Sequence, residues 1–490
     1  MVIKNVHVYL TRIFINKQYP WWSRHQKFYR HLRQNLIVGI FISMILHFVH
    51  DFSPIRQAED AAFDWVMAMQ IGIAPDNSPQ KFAFLDIDEA AYKNWGEPLH
   101  IPRNKLLDII QYAVRGKPAL IVVDVDLSRW GQCLDHDLAL INYLNAYQDR
   151  PPIVLPQLFK EPIEGEPRRT LRKSFFGDDS PNADARVFLA SPLFELDGND
   201  FRLRRWRLWE FTNDQKNIPS VEMSAVALIK SNRDPVDILN EVKEDLNTLA
   251  QGDAGKINIR GFGELETDHE DIGQRILYSI PGILQEGESY PENFVRRSVL
   301  PITKINSPTV EQKIVDQCPE QCPTECPLQC RIPSNVTTDM SQFDSSWLKG
   351  RVVVIGASFA DSRDIYSTPI GLMPGAMVIV NAINSLYKHG QIEKPEIFWI
   401  YLSEILLIVL MSIAFALFDA SFLGMLVSSS IIIAIMLPLS FYLFKYGIWL
   451  DFAIPLIGVQ LHRMHASFEE IKKALIQGSS EQDPHIRKEN

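Results

Sequence analysis

The chain has 490 residues, 46% of them hydrophobic and 22% charged, with a formal net charge of -10. That length exceeds one ordinary core and suits two or three structural units. The acidic balance argues against nucleic acid as the main partner.

Residues 1–35 carry Lys4, Arg12, Lys17, Arg24, Lys27, Arg30 and Arg33 and no acidic residue. The apolar run LIVGIFISMILHFV (36–49) follows. It is short for a bilayer core of about 30 Å, and a signal-peptide core is the alternative. The long preceding segment and the lack of a small-residue cleavage pattern favour an uncleaved anchor over 36–52. The positive-inside rule then places 1–35 in the cytoplasm and 53–394 outside. Tyr19, Trp21 and Trp22 suit the interface just before the span.

The external segment alternates strand and helix patterns. KFAFLDID (81–88) reads as a strand ending in acids, NKLLDIIQYAV (104–114) as a helix, and ALIVVDVDLS (119–128) as a β-branched strand. HDLALINYLNAY (136–147) is the next helix and PIVLPQLF (152–159) the next strand. IPSVEMSAVALI (218–229) has helical spacing. KINIR (256–260) and ILYSIP (276–281) read as strands. RVVVIGAS (351–358) is a buried-type strand with a glycine turn, and GAMVIVNAINSLY (375–387) is a helix. This alternation predicts right-handed crossovers and an α/β domain, three layers around a mostly parallel sheet. Residues 160–185 and the cysteine-rich stretch 305–346 read as insertions.

Three apolar runs close the chain: 397–418 with the single charge Glu404, 422–444 with none, and 446–461 with Asp451 near its start. They are read as three α-helical transmembrane segments over 395–461, leaving a cytoplasmic tail at 462–490. An acid such as Glu404 within a span faces another helix, water or a partner subunit. In the tail, HASFEEIKKALI (465–476) offers a short amphipathic docking surface.

Four blocks resemble the type-two CHASE domain, a family of extracellular sensor domains. They are FAFLDIDEAAYKNWGEPLHIPRNKLLDII, PALIVVDVDLS, SPLFELDGNDFRLRRWRLW, and LKGRVVVIGASFADSRDIYSTPIGLMPGAMVIVNAINSLY. The layout of one leading anchor, an external domain and three closing spans is similar too. The resemblance implies a sensor of an external signal coupled to a cyclase or kinase. No such output domain follows the last span here, so a separate cytoplasmic signalling protein is the expected partner.

Acids gather where ligands bind in parallel sheets, at the carboxyl ends of strands. Asp86, Asp88 and Glu89 end the first strand; Asp124 and Asp126 end the second. On adjacent strands they would lie within several ångströms. They would then hold a divalent cation or raise the pKa of one carboxyl. Alternatively they cap helices and turns or pair with Arg103. The stretch SRDIYSTPIGLMPG (362–375) reads as a loop crossing the same end. Position and resemblance there add Asp364, Thr368 and Pro369. IGAS lacks the G-x-G-x-x-G spacing and a Walker lysine, so it reads as a tight structural turn.

CLDHD (133–137) reads as a helix start with acids in its first turn, since adjacent residues converge poorly on a metal. RLRRWRLW (202–209) would set Arg202, Arg204, Arg205 and Arg207 on a basic strand face. That face suits an anionic envelope component or ion-paired neighbours, or else protects an edge strand. In CPEQCPTECPLQC, an oxidising compartment favours two disulfides among Cys318, Cys322, Cys326 and Cys330, with zinc as the alternative. The sequon at Asn335 has meaning only in a glycosylating host.

No nucleophile–base pair, cofactor motif or metal set stands out, and the chain reads as non-enzymatic. The expected function is a membrane-anchored sensor subunit in the inner membrane, in contact with lipid, with both termini cytoplasmic. Self-association is open. The alternatives are an envelope scaffold holding partner proteins, and a metal-dependent envelope enzyme using Asp86, Asp88, Asp124 and Asp126.

Overall fold

The computed structural model describes residues 21–48, 53–73, 78–131, 133–149, 151–160, 168–172, 186–213, 217–248, 255–267, 273–284, 289–303 and 343–391, with scattered positions from 402 to 442. Contacts divide the chain into two compact units, Met1–Val66 with Glu393–Asn490, and Met67–Ile392.

In the first unit, helix α1 spans Trp21–Phe48. It begins well before the apolar run at 36, because residues 21–35 contain no glycine or proline to stop it. A Cβ added at Gly39 would lie 2.8 Å from Ile408 Cγ2, so the helix backbone approaches Ile408 closely there. Among the described residues no helix is long and apolar enough to cross a membrane. The runs 397–418, 422–444 and 446–461 fall largely outside the described residues. Helix α2, Ser53–Ile73, leads into the second unit and carries no strong sequence signal of its own.

The second unit is built on a parallel sheet. Its elements run β1 (Phe82–Ile87), α3 (Glu89–Asn94), α4 (Arg103–Arg115), β2 (Leu120–Asp124), α5 (Leu134–Asn145), β3 (Ile153–Pro156), β4 (Val187–Ala190), β5 (Phe194–Leu196), β6 (Leu203–Arg207), β7 (Trp209–Phe211) and β8 (Asn217–Pro219). They continue with α6 (Val221–Lys230), α7 (Pro235–Asn247), β9 (Gly255–Ile259), β10 (Gly263–Thr267), β11 (Gly273–Arg275), β12 (Phe294–Ser298), α8 (Leu300–Thr303), β13 (Val352–Ala357), β14 (Ile365–Thr368), β15 (Gly371–Pro374) and α9 (Gly375–His389).

The six-stranded sheet has the order β12-β1-β13-β2-β3-β4, parallel throughout. Alternation sorts its side chains onto two apolar faces. Ala83, Leu85, Ile87, Ile121, Val123, Val353 and Ile355 pack with α3, α4 and α5 in one buried cluster. Phe82, Phe84, Val122 and Val354 stand on the other face, which α6 and α9 cover. The predicted three-layer α/β domain is therefore present.

Several expectations are corrected. Strands β1 and β2 are not neighbours, because β13 lies between them. Gly356 makes no turn; it stays within β13, and a Cβ there would come within 2.5 Å of the Ala376 side chain. Glycine is needed for the close seat of α9 on the sheet. Residues 362–375 form no open loop; most of that stretch is the hairpin β14–β15. Residues 276–281 are no strand, since side chains of α9 satisfy their backbone. Ser279 N and Ile280 N both donate to Asn381 Oδ1 at 2.9 Å, and Leu277 N donates to Ser385 Oγ at 3.2 Å.

The arginine-rich strand β6 is the middle strand of β11-β6-β5, so it protects no edge. Its arginines divide between both faces and, with the preceding Arg202, are ion-paired. Arg204 meets Asp200 at 2.6 Å and Asp197 at 3.3 Å, Arg202 meets Asp200, Arg205 meets Asp197, and Arg207 meets Glu195. Neighbouring acids, rather than an external anion, neutralise this stretch.

Candidate ligand-binding cavity

At the carboxyl end of the sheet a cavity of about 860 Å³ opens between the ends of β2, β3 and β13 and the β14–β15 hairpin. This is where the crossover pattern of an α/β sheet leaves a crevice for ligands. Aromatic side chains form much of its wall. Tyr92 and Phe359 stack with centroids 4.1 Å apart and an interplanar angle of 8°. Trp95, Phe194 and Tyr366 also line it. Tyr92 Oη donates to Asp361 Oδ2 at 3.3 Å, tying the α3 wall to the segment after β13.

The predicted acids separate into different roles. Asp86 and Asp124 share one register row, with Gly356 between them. Asp86 is buried and pairs with Arg296, 2.8 Å from its NH2 and 2.9 Å from its Nε. Burial still raises the Asp86 carboxyl above its ordinary range, against the lowering by Arg296. It does not line the cavity. Asp88 caps α3, accepting from Ala91 N at 2.9 Å. Glu89 pairs with Lys93 at 3.1 Å on the surface.

Asp124, Asp126, Arg103 and Asp364 do come together around the cavity. Arg103 pairs with Asp137, Nε to Oδ1 at 3.4 Å, and donates to the carbonyls of Asp126 and Arg129 at 3.2 and 3.0 Å. Both members of that pair are buried, so Arg103 braces the β2–α5 connection. Asp137 also accepts from Gly131 N at 2.8 Å. Asp126 accepts from Ser128 N at 2.7 Å and closes a turn. Thr368 ends β14, donating to Gly371 O at 2.6 Å, and does not line the cavity.

Asp364 precedes β14 and sits against the start of α9. A Cβ at Gly375 would lie 2.4 Å from both Asp364 carboxylate oxygens, so glycine makes room for that carboxyl at the helix N-terminus. Burial pushes Asp364 up to about 6. Asp124 is pushed well up by burial, then by repulsion from Asp364 and from Glu222. Burial, and then the Asp364 carboxyl beside it, raise Tyr366.

Glu222, in the first turn of α6, was not anticipated. It is fully buried, and burial pushes it up to about 8 against the lowering by its own backbone N–H and by Ser220. The one sequence signal was a lone charge inside the apolar helix VEMSAVALI. Asp137 and Arg296 were also missed as ion-pair partners, because nothing local links them to Arg103 or Asp86.

Among the described residues no three His, Cys, Asp or Glu side chains are placed to hold a metal ion. The α5 start at CLDHD is as expected, with Asp135 and Asp137 in the first turn. Cys133 stands directly before it at the N-cap position. Cys318, Cys322, Cys326, Cys330 and Glu404 lie outside the described residues.

A family profile described as CHASE2 domain matches residues 38–417. No curated protein and no solved structure matches the chain.

Proposed function

The chain belongs to the CHASE2 domain family, and from that premise we propose that it is a membrane-anchored sensor subunit that takes its signal as a small ligand in the cavity above the parallel sheet. The observation that carries this reading is the cavity itself. Its volume of about 860 Å³ falls within the range of small-molecule sites, it is walled by aromatic side chains, and a few polar groups converge on it. The family is one of extracellular sensor domains.

In this reading the apolar runs 36–52 and 395–461 anchor the chain in the inner membrane, and the α/β unit lies outside. A ligand that prefers one packing of these helices shifts their population. A separate cytoplasmic protein, docked on the spans or on 462–490, reads the shift. The chain binds and relays without turnover.

The test is topology followed by ligand response. Reporter fusions within 217–248 and after residue 480 should report opposite sides of the membrane. Finding the α/β unit on the side of Lys4 would remove the sensor reading. Trp95→Ala should then weaken the thermal stabilisation produced by any ligand found in a metabolite screen.

A further inference from the structure

Two carboxyl groups border the first turn of α9. Asp124 ends β2 and Asp364 precedes β14; both are half-buried and line the cavity, as does Gly375 at the helix start. A Cβ at Gly375 would lie 2.4 Å from both carboxylate oxygens of Asp364. A Cβ at Gly356 would lie 2.5 Å from Ala376 Cβ and 3.6 Å from Asp124 Oδ2. The two acids therefore border consecutive residues of one helical turn, across spaces that glycine leaves open. They belong to separate parts of the fold. Asp124 is fixed in the six-stranded sheet, whereas Asp364 enters the β14–β15 hairpin, which runs directly into α9 through Pro374 and Gly375. Gly375 N donates to Asp364 O at 2.8 Å and ties the entry of the hairpin to the start of the helix.

The surrounding charges leave the pair to protons. Arg103 is held by Asp137 and Arg296 by Asp86. Arg363 and His100 line the same cavity, Arg363 exposed to solvent, and neither is ion-paired to Asp124 or Asp364 among the described residues. Asp126 and Asp361 add negative charge to the lining, Glu222 on α6 repels Asp124, and Tyr366 on β14 hydrogen-bonds Asp364. Burial pushes Asp364 up to about 6, and burial, then repulsion from Asp364 and Glu222, pushes Asp124 well up. Both carboxyls are raised by folding, so the stability they contribute is present at low pH and lost as pH rises through their folded-state range. Once both are ionised, two like charges share one half-buried site.

We propose that this junction is a proton-operated latch: protonated Asp124 and Asp364 let the β14–β15 hairpin and the first turn of α9 seat against the end of the sheet, and loss of those protons drives the hairpin side away from the sheet side. Asp124 cannot yield, because β2 is an interior strand, so the movement falls on the hairpin and the helix start. Along the chain, α9 leads from this junction toward the apolar run 397–418. The latch needs no bound ligand and goes beyond the sensor reading above.

The test is amide hydrogen exchange by mass spectrometry on the full chain in mild detergent, from pH 5 to pH 8, corrected for the base catalysis of exchange itself. Protection of peptides within 364–378 should fall about tenfold or more over that range, while peptides covering 82–87 and 352–357 lose less. Asp364→Asn and Asp124→Asn mimic the protonated carboxyls, and each should remove most of the fall at 364–378. Imidazoles titrate in the same window, so His100→Gln is the control and should leave the fall intact. The regional comparison in the parent chain needs no variant and decides the matter if either Asn variant does not fold. Protection at 364–378 that does not change with pH, or a fall shared equally by 82–87 and 352–357, would overturn the latch. So would a fall that His100→Gln removes and the Asn variants keep.

Discussion

Asp86 and Asp124 stand in the same register row of the sheet, on either side of Gly356, and they meet opposite electrostatic fates. Asp86 is neutralised by Arg296 from the neighbouring edge strand β12. Asp124 lines the cavity and is pushed up by burial, then by repulsion from Asp364 and Glu222. One intervening strand, placed there by a crossover from much later in the chain, separates a structural ion pair from a cavity-facing carboxyl. Four predictions follow from this arrangement and its surroundings.

Arg296→Ala should leave Asp86 buried without its partner and destabilise the domain by about 3 kcal/mol, within the usual cost of breaking a buried pair. Asp86→Asn, which keeps shape and hydrogen bonding, should cost less. A double-mutant cycle by chemical denaturation checks the coupling, and additive losses would show that the two side chains act independently.

Gly356→Ala should destabilise the domain by about 1–3 kcal/mol through overpacking. The new methyl would meet the Ala376 side chain at 2.5 Å, and that residue sits in the first turn of α9 with limited freedom to move. Ala376→Gly in the same chain should recover part of the loss. Recovery of none of it would place the strain elsewhere.

Glu222 sets a pH dependence of stability. Its folded-state pKa of about 8 lies above the ordinary glutamate value of 4.5, so the folded chain holds a proton that the unfolded chain has released. Its contribution is therefore fully present below about pH 4.5 and is lost as pH rises toward 8, with a slope of up to about 1.4 kcal/mol per pH unit. Asp364, raised to about 6, acts in the same direction over the lower part of that window. Unfolding temperatures between pH 5 and 8.5 should fall with pH in the parent chain. They should fall less steeply in Glu222→Gln, and parallel curves would contradict the assignment.

The cysteines give the fourth test. The sequence contains five, Cys133 and the four within 318–330. In an oxidising compartment those four should close as two disulfides. Non-reducing peptide mapping should recover the 318–330 stretch in cross-linked form. Recovery with all four thiols alkylated without prior reduction would refute the disulfide expectation.

Much of the fold was legible along the chain because it depends on local periodicity. Alternating and β-branched runs marked β1, β2, β3 and β13, and 3.6-residue spacing marked α4, α5, α6 and α9. The exceptions depend on partners. The segment ILYSIP has strand composition, yet Asn381 and Ser385 of α9 take the hydrogen bonds a neighbouring strand would have taken. The stretch FVRRS, too polar to look like part of a central sheet, pairs with β1 as an edge strand. Gly356 resembled a turn because glycine is permissive. Its reason for being glycine lies in a helix that begins almost twenty residues later.

The sequence by itself determined the α/β character, the positions of the principal strands, and the gathering of acids at strand ends, because alternation and chain direction are local properties. Only the tertiary structure decided which acids face a cavity and which are neutralised. That outcome depends on strand order and on side chains such as Arg296, 210 residues from Asp86, and Glu222, whose charge repels that of Asp124. A carboxyl's charge state is set by every dipole, ion and apolar surface around it in space, and neighbours along the chain supply only a few of these.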